Sequence, residues 1–261
     1  ETDNEPMPFG DNTEYALESD NAAVGRWWDV KLDRGMTGYD RRAAEWFRSI
    51  DRKNALAFAL YTHDHKVLKL SAQCFPLLPD EPKVISLELK INNQWVEVQS
   101  QPVIYPGWSA HFRIEDWDSS KNVAYRLSLG ELSSFGGLIR RDPRDKDSIS
   151  IASLNCNSPV DNEFDTRLLT VQNLRHHDPD LLFFAGDQNY THDEATYGWL
   201  QFGVQFADVM KDRPTICILD DHDVGHPNIW GESGKVSIGT KGAADGGYMF
   251  PADFVRMVER Q

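Results

Sequence analysis

Residues 181–190 read LLFFAGDQNY, five apolar residues that run directly into a polar cluster. A solidly apolar run of this length is typical of a strand that is buried on both faces of a parallel sheet. Two further short apolar runs occupy 148–153 and 214–219, and the segments 164–176 and 195–210 between the three runs carry apolar residues at helical spacing. The order strand, helix, strand, helix, strand predicts βαβ units and a largely parallel sheet.

Residues 50–140 have a different pattern, with several short runs of β-forming residues separated by turn signals. Asn92-Asn93 is one such signal, because asparagine tolerates the positive φ that tight hairpin turns require. Strands in this number and spacing predict an all-β sandwich of the immunoglobulin or fibronectin type. The predicted strands are 56–61, 67–72, 84–91, 95–98, 110–114, 123–129 and 137–139.

Two charged segments divide the chain into regions. Residues 1–22 carry acidic side chains with no lysine or arginine, a composition that predicts a solvated tail. Residues 140–147 read RRDPRDKD, which is charged, contains a proline and lacks apolar residues, as expected of a domain boundary. We therefore predict an acidic tail (1–22), a β-sandwich domain with a short helical lead-in (23–142) and an α/β domain (148–261).

The composition excludes several classes of protein. Hydrophobic residues make up 40% of the 261 residues, which is enough for buried cores, so disorder over the whole chain is excluded. The formal net charge of -14 argues against a nucleic-acid-binding surface, because phosphate backbones are held by lysine and arginine. A small phosphorylated substrate stays compatible with this charge if bound cations reverse the local field. The sequence has no run of about 18 apolar residues, so it predicts no transmembrane segment, and it carries no signal for an oligomeric state.

Each of the three predicted parallel strands ends in a polar cluster: NCN (155–157), DQNY (187–190) and DDHD (220–223). Ligands of open parallel sheets bind beyond the carboxyl ends of the strands, so we expect the three clusters to converge. Each cluster alone also has a structural explanation, either a cysteine that fills a core or a residue that caps a turn. Three polar clusters at consecutive strand ends favour a binding site.

The residue types in these clusters suit metal ions. Asp187 offers carboxylate oxygens that bridge two cations in many proteins, and Asp221 offers another carboxylate. Cys156 can bind as a thiolate and Tyr190 as a phenolate, whereas His222 can act as a ligand or as a general acid. A cation that is held by both thiolate and phenolate is electron-poor, which indicates ferric iron.

These segments resemble the signatures of a known family. GDQNY (186–190) and DDHDV (220–224), followed by Asn228 and Trp230, resemble blocks of the PhoD-like alkaline phosphatases and phosphodiesterases, a branch of the calcineurin-type metallophosphoesterases. The segment SLNCNS (153–158) is similar to the position at which that branch has a ligand cysteine. The resemblance implies an α/β metallophosphoesterase sandwich, of which this chain holds the N-terminal part, preceded by the all-β domain.

The resemblance also implies roles for individual residues. Cys156, Asp187 and Tyr190 would hold one metal ion, iron, and Asp187 would bridge to a second ion, calcium, that Asp221 also binds. Zinc, manganese and magnesium remain alternatives. His222 would protonate the leaving group or steady the phosphoryl oxygens. The residues expected to contact the substrate or support the centre are Asp220, His226 and Asn228.

The implied function is hydrolysis of small phosphate mono- or diesters at a binuclear metal centre. The alternative is a non-catalytic β-sandwich protein that binds a ligand and has a vestigial or incomplete metal site. The family completes its centre with downstream aspartate and histidine donors, whereas no histidine follows His226 here, so we expect a truncated chain that binds metal weakly. The resemblance implies export to the periplasm, the cell envelope or the exterior, and a cytoplasmic location remains open.

Overall fold

The computed structural model describes residues 45–158, 167–190, 195–224, 247–248, 250 and 252–261. The acidic tail predicted for 1–22 lies outside these residues. Among the described helices, none combines the length and the apolar character that crossing a bilayer requires. The described strands are β1 (Leu56–Asp64), β2 (Val67–Cys74), β3 (Val84–Ile91), β4 (Gln94–Pro102), β5 (Ser109–Ile114), β6 (Val123–Leu129), β7 (Ser133–Ile139), β8 (Ile151–Leu154), β9 (Leu181–Ala185) and β10 (Thr215–Ile218), and the helices are α1 (Leu168–His177), α2 (Ala195–Met210) and α3 (Ala252–Arg260), with 3-10 turns at Arg52–Asn54 and Asp221–Val224 and a helical segment at 45–49.

The first seven strands form two antiparallel sheets, with the orders β1-β2-β5 and β4-β3-β6-β7. β1 and β2 pair with each other as an antiparallel hairpin. β3 and β4 are joined by Asn92 and Asn93, whose φ angles are 49° and 64°. The prediction of a positive-φ turn at this asparagine pair is therefore confirmed.

Side chains from both antiparallel sheets form one hydrophobic cluster, which we call the front core. Its centre contains Tyr61 of β1 and Tyr125 of β6, whose ring centroids lie 6.5 Å apart. Because side chains alternate along a strand, Ala59 and Tyr61 belong to the front core while Phe58 and Leu60 pack on the opposite side of β1. β1 therefore supports two hydrophobic clusters at once.

Strand β7 begins at Ser133, earlier than the predicted start at residue 137. Its first residues are serines rather than alternating apolar residues, which explains why the pattern indicates a shorter strand. The Ser133 hydroxyl accepts a hydrogen bond from the Leu56 amide at 3.0 Å and donates one to the Lys53 carbonyl at 2.7 Å. Two backbone partners satisfy this buried hydroxyl, so a polar residue occupies a core-facing position without a desolvation penalty.

The last three strands form the predicted parallel sheet, in the order β10-β9-β8. β9 is central: Leu181 pairs with Ile151 of β8, and Leu182 pairs with Thr215 of β10. α1 connects β8 to β9, and α2 connects β9 to β10. β9 and α2 have the predicted bounds, whereas β8 begins at Ile151 rather than at residue 148.

Helix α2 packs directly on β1 and joins the antiparallel and parallel sheets. Side chains of α2 and β1 belong to a second hydrophobic cluster, which we call the rear core. In this cluster the ring centroid of Phe184 of β9 lies 4.8 Å from that of Phe202 and 5.1 Å from that of Phe206. A Cβ atom on Gly203 would lie 1.9 Å from the Phe58 ring. Only glycine at this position lets the helix approach β1 so closely.

Charged side chains also join the two parts of the chain. Asp178, at the end of α1, accepts hydrogen bonds from Arg140 at 2.8 Å and from Arg213 at 2.7 Å. The Arg213 side chain is only 5% exposed, and it also pairs with Asp212. The hydrogen bond from Arg140, reinforced by Arg213, holds the pKa of Asp178 below its usual value.

Helix α3 was not predicted from the sequence. Phe254 and Met257 of this helix are fully buried and pack with Ala195, the first residue of α2. Beyond the helix, the Gln261 side-chain amide donates a hydrogen bond to the Gly107 carbonyl at 3.0 Å. α3 therefore contacts both the start of α2 and the loop before β5.

Replacement of Gly203 by alanine tests the close approach of α2 to β1. In an exposed helix this change stabilises by about 1 kcal/mol, but here the added methyl group collides with Phe58, so we expect a loss of about 1–3 kcal/mol in the free energy of unfolding. Urea denaturation measures the change, with Val204→Ala on the exposed side of the same helix as the control. A Gly203→Ala protein as stable as the wild type would contradict the contact.

Replacement of Asp178 by asparagine tests the charged connection. Because the folded state lowers the pKa of Asp178, its stabilising effect is complete above the pKa of the unfolded chain and is lost as the pH falls through the folded-state value. Asp178 is 59% exposed, so we expect a loss of about 1 kcal/mol at pH 7. The difference between Asp178→Asn and wild type should shrink on acidification, as measured by urea midpoints across pH. A difference that does not change with pH would contradict this explanation.

Candidate metal centre

The carboxyl ends of the three parallel strands meet at one edge of the sheet, and hydrogen bonds continue between the loops beyond them. The Cys156 amide donates to the Gly186 carbonyl at 3.2 Å, and the Asn157 amide donates to the Asp187 carbonyl at 2.8 Å. The loop after β8 therefore lies against the loop after β9. This pairing brings Cys156 and Asp187 side by side although they are far apart in the sequence.

Asp187 lies between the thiol and the phenol that the sequence analysis singled out. The Cys156 thiol donates to Asp187 Oδ2 with an Sγ to Oδ2 distance of 3.6 Å, and the Tyr190 hydroxyl donates to the same oxygen at 3.0 Å. Burial, together with hydrogen bonds from the neutral phenol to Cys156 and Asp187, raises the pKa of Tyr190. A bound cation would reverse this effect, because coordination favours the phenolate.

The loop after β10 adds a second carboxylate and an imidazole. Asp187, Asp221 and His222 each offer one ligand atom, and these three atoms lie within 4.8 Å of one another. The His222 ring packs on the Tyr190 ring, with 4.1 Å between the centroids and 30° between the planes. Five predicted site residues therefore form one group, in which Tyr190 contacts both Asp187 and His222.

The donor set fits a metal ion. Asp187 is 8% exposed, and its Oδ1 atom is buried without a hydrogen-bond partner among the described residues. A buried carboxylate oxygen without a partner is unfavourable, and a cation is the partner that removes this penalty. A thiol, a phenol, two carboxylates and an imidazole are ligands that proteins use for transition metals and for calcium.

The backbone at this edge adopts conformations that most residues avoid. Cys156 has a φ of 53° and Asp187 a φ of 57°, both in the left-handed region. Gly186 has a φ of 97°, and a Cβ atom at this position would lie 2.6 Å from the Cβ of Asp220. Unfavourable backbone conformations persist where the surrounding structure enforces them, which is common at functional sites.

Asp223 is a site residue to which the sequence analysis gave no role. It is 3% exposed, and its carboxylate accepts hydrogen bonds from three backbone amides, those of Asp187 at 2.8 Å, Asn189 at 3.0 Å and Asp220 at 3.0 Å. Burial raises the pKa of Asp223 to about 6, although the three amides oppose this shift. The sequence places Asp223 in the polar cluster DDHD (220–223) and so indicates that it lies near the site. The pattern does not show that Asp223 is buried whereas Asp220 is exposed.

The structure describes one of the three residues expected to contact the substrate or support the centre, namely Asp220. Asp220 is exposed, and its Oδ1 atom accepts a hydrogen bond from the Asp221 amide at 2.8 Å. It therefore shapes the turn that carries Asp221, and its contact with a substrate stays a prediction. His226 and Asn228 lie outside the described residues.

Comparisons with known proteins give a likeness at the level of the fold. No family model matches the sequence, and no curated protein sequence matches it. The solved structure of PhoD has a TM-score of 0.55 and 14% sequence identity, covering 69% of this chain and 41% of that chain. A purple acid phosphatase, PPD1 from yellow lupin (Lupinus luteus) seeds, has a TM-score of 0.50 and 13% identity, covering 72% of this chain and 38% of that chain.

The likeness to both structures concerns the fold. At identities of 14% and 13%, the likeness shows that this chain shares its fold with these two solved structures. The fold is rich in β-sheet and combines antiparallel sheets with a parallel one. This chain spans about two fifths of the length of each of those proteins.

Cobalt binding tests whether Cys156 belongs to the centre. Titration of the protein with Co²⁺ should produce an ultraviolet thiolate-to-cobalt charge-transfer band, because a coordinating thiol is deprotonated by the metal. Cys156→Ser should lose this band and bind Co²⁺ at least about tenfold more weakly. Cys217→Ser, in β10 of the same sheet, is the matched control and should keep the band. A band that survives in Cys156→Ser, or is absent from the wild type, would exclude Cys156 as a ligand.

Proposed function

We propose that this chain hydrolyses phosphate mono- or diesters at a binuclear metal centre. The observation that carries the proposal is the group at the carboxyl edge of the parallel sheet, where donor atoms of Asp187, Asp221 and His222 lie within 4.8 Å of one another. The Cys156 thiol and the Tyr190 phenol extend this group around Asp187. The fold shared with two solved phosphatases supports the same class of reaction.

We extend the proposal to the family and the domain organisation that the sequence suggests. We assign the chain to the PhoD-like branch of the metallophosphoesterases, with a partial α/β metallophosphoesterase sandwich (148–261) behind an immunoglobulin-like β-sandwich (23–142) and an acidic tail (1–22). The change from antiparallel to parallel pairing between β7 and β8 supports the boundary near 140–147. Export of the protein stays a prediction.

Four side chains would bind two metal ions, and His222 would lie beside them. Cys156, Asp187 and Tyr190 would bind the first ion, for which thiolate and phenolate ligands favour ferric iron. Asp187 and Asp221 would bind the second, for which carboxylate oxygens favour calcium. Zinc, manganese and magnesium are the alternatives. Bound cations of this kind supply Lewis acidity and lower the pKa of water.

The side chains of the group have separate tasks in the reaction. Cys156 and Tyr190 donate hydrogen bonds to Asp187, and both would give up these protons if they held a cation. His222 donates a proton to the ester oxygen as its bond to phosphorus breaks, while a water oxygen bonds to phosphorus from the opposite side. The proton lost by that water restores the charged imidazole. Packing against the Tyr190 ring holds the His222 imidazole in place.

The charge of the protein makes bound cations necessary for this function. The formal net charge is -14, and the carboxylates of Asp187, Asp221 and Asp223 lie in adjoining loops at the same edge. An anionic phosphoester is repelled by such a site unless cations reverse the local field. We therefore expect complete loss of hydrolysis when the metal ions are removed by a chelator, and recovery when they are restored.

Replacement of His222 tests its role as the proton donor. His222→Asn should lower kcat by about 10²–10⁴ for an alkyl phosphate ester, and much less for a p-nitrophenyl ester, because p-nitrophenolate leaves without protonation. Steady-state kinetics with both esters, on protein loaded with metal, measure the difference. His65→Asn is the matched control, because His65 is an exposed histidine in the β1–β2 turn.

The two esters also distinguish the ways in which the proposal can fail. Equal losses for both esters in His222→Asn would exclude proton donation by His222 and leave the metal-dependent reaction in place. No hydrolysis of either ester by the metal-loaded wild type would contradict the phosphoesterase proposal itself. Ligand binding without turnover would then favour the non-catalytic alternative.

A further inference from the structure

Asp223 connects the two loops that carry the candidate metal ligands. Its Oδ2 atom accepts hydrogen bonds from the Asp187 amide at 2.8 Å and the Asp220 amide at 3.0 Å, and its Oδ1 atom accepts one from the Asn189 amide at 3.0 Å. Asp187 and Asn189 belong to the loop after β9, whereas Asp220 belongs to the loop after β10. One carboxylate therefore holds both loops.

The pattern of these bonds differs from that of an ordinary turn cap. A side chain that only caps its own turn bonds to amides within a few residues, as Asp223 does with Asp220. The other two bonds join residues that are 36 and 34 positions apart in the sequence. They fix the distance between the Asp187 backbone and the turn that carries Asp221 and His222, and that distance decides whether the three ligand atoms lie together.

Burial makes this carboxylate difficult to replace. Asp223 is 3% exposed, so water does not compete for the three amides. The Asp187 amide belongs to a residue with φ of 57°, outside regular secondary structure, so Asp223 supplies the partner that this buried amide needs. Loss of the carboxylate would leave buried amides unpaired and remove the contact that maintains the left-handed conformation of Asp187.

We infer that Asp223 is a positioning residue of the metal centre: its carboxylate clamps the loop after β9 to the loop after β10 and so sets the spacing of Asp187, Asp221 and His222. This inference rests on the proposed function. In this role Asp223 acts through the backbone rather than as a ligand, since each of its oxygens accepts a hydrogen bond from at least one backbone amide. Such supporting residues typically change metal affinity by about 10–100-fold when replaced.

Replacement of Asp223 by asparagine keeps the size and shape of the side chain but removes the carboxylate. It therefore tests the hydrogen bonds of the carboxylate separately from packing. The amide of Asp223→Asn has one acceptor oxygen, which can keep two of the three hydrogen bonds, and its NH2 group then faces a third N–H donor. In the metal-free protein, we expect amide hydrogen exchange to rise at one or more of Asp187, Asn189 and Asp220, because at least one of these amides loses its acceptor, and to stay unchanged in β9 and β6. This readout requires neither metal nor activity.

The second measurement is the affinity for Co²⁺, which calorimetry determines. The absorption spectrum of the bound ion is recorded as well. Asp223→Asn should bind about 10–100-fold more weakly than the wild type, with an altered spectrum. Asp223→Glu keeps the charge but shifts it by one methylene. Its affinity for Co²⁺ should lie between those of Asp223→Asn and the wild type. Asp116→Asn removes the same charge at an exposed residue with φ of 55°, a conformation that asparagine tolerates, and should behave as the wild type does.

The outcomes separate this inference from the proposed function. Wild-type affinity in Asp223→Asn, or unchanged exchange at the three amides, overturns the clamp and leaves the proposed function intact. No Co²⁺ binding by the wild type overturns both. If Asp223→Asn fails to fold, Asp223→Glu decides, because full wild-type affinity with the longer side chain is incompatible with a clamp that sets the spacing.

Discussion

The parallel pairing of β9 with β8 and β10 is the constraint on which the rest of the site depends. Because the three strands run in the same direction, their carboxyl ends share one edge. Loops that are separated by whole helices in the sequence therefore start next to one another. The pairing extends beyond the strands through the bond from the Cys156 amide to the Gly186 carbonyl. An antiparallel arrangement of the same strands would place the loop after β9 at the edge opposite to the other two loops.

The edge combines features that cost stability and features that compensate for them. Cys156 and Asp187 have positive φ, Asp187 Oδ1 is buried without a partner among the described residues, and carboxylates of the same charge lie in adjoining loops. The carboxylate of Asp223 and the rear core beneath the sheet hold these groups in place. Unfavourable backbone angles and like charges that are confined to one edge, in a fold that is otherwise favourably packed, are typical of functional sites.

Local sequence patterns predicted the elements but not their long-range contacts. The solidly apolar run of β9 and the helical spacing of α2 gave both elements their observed bounds, because each pattern depends only on neighbouring residues. The approach of α2 to β1 depends on Gly203 meeting Phe58, a contact that no local pattern contains. The clusters at the strand ends could be found because parallel strands share an edge, whereas the three backbone partners of Asp223 appear only in three dimensions.

We infer that the carboxyl edge of the parallel sheet binds metal ions through Asp187. Anomalous X-ray scattering from crystals soaked in Mn²⁺ tests it most directly, because the anomalous peak locates the ion without reference to activity. We expect a peak within bonding distance of Asp187, with Asp221 and His222 beside it. Ordered density for these side chains with no anomalous peak near them, or with peaks only at other carboxylates, would contradict it.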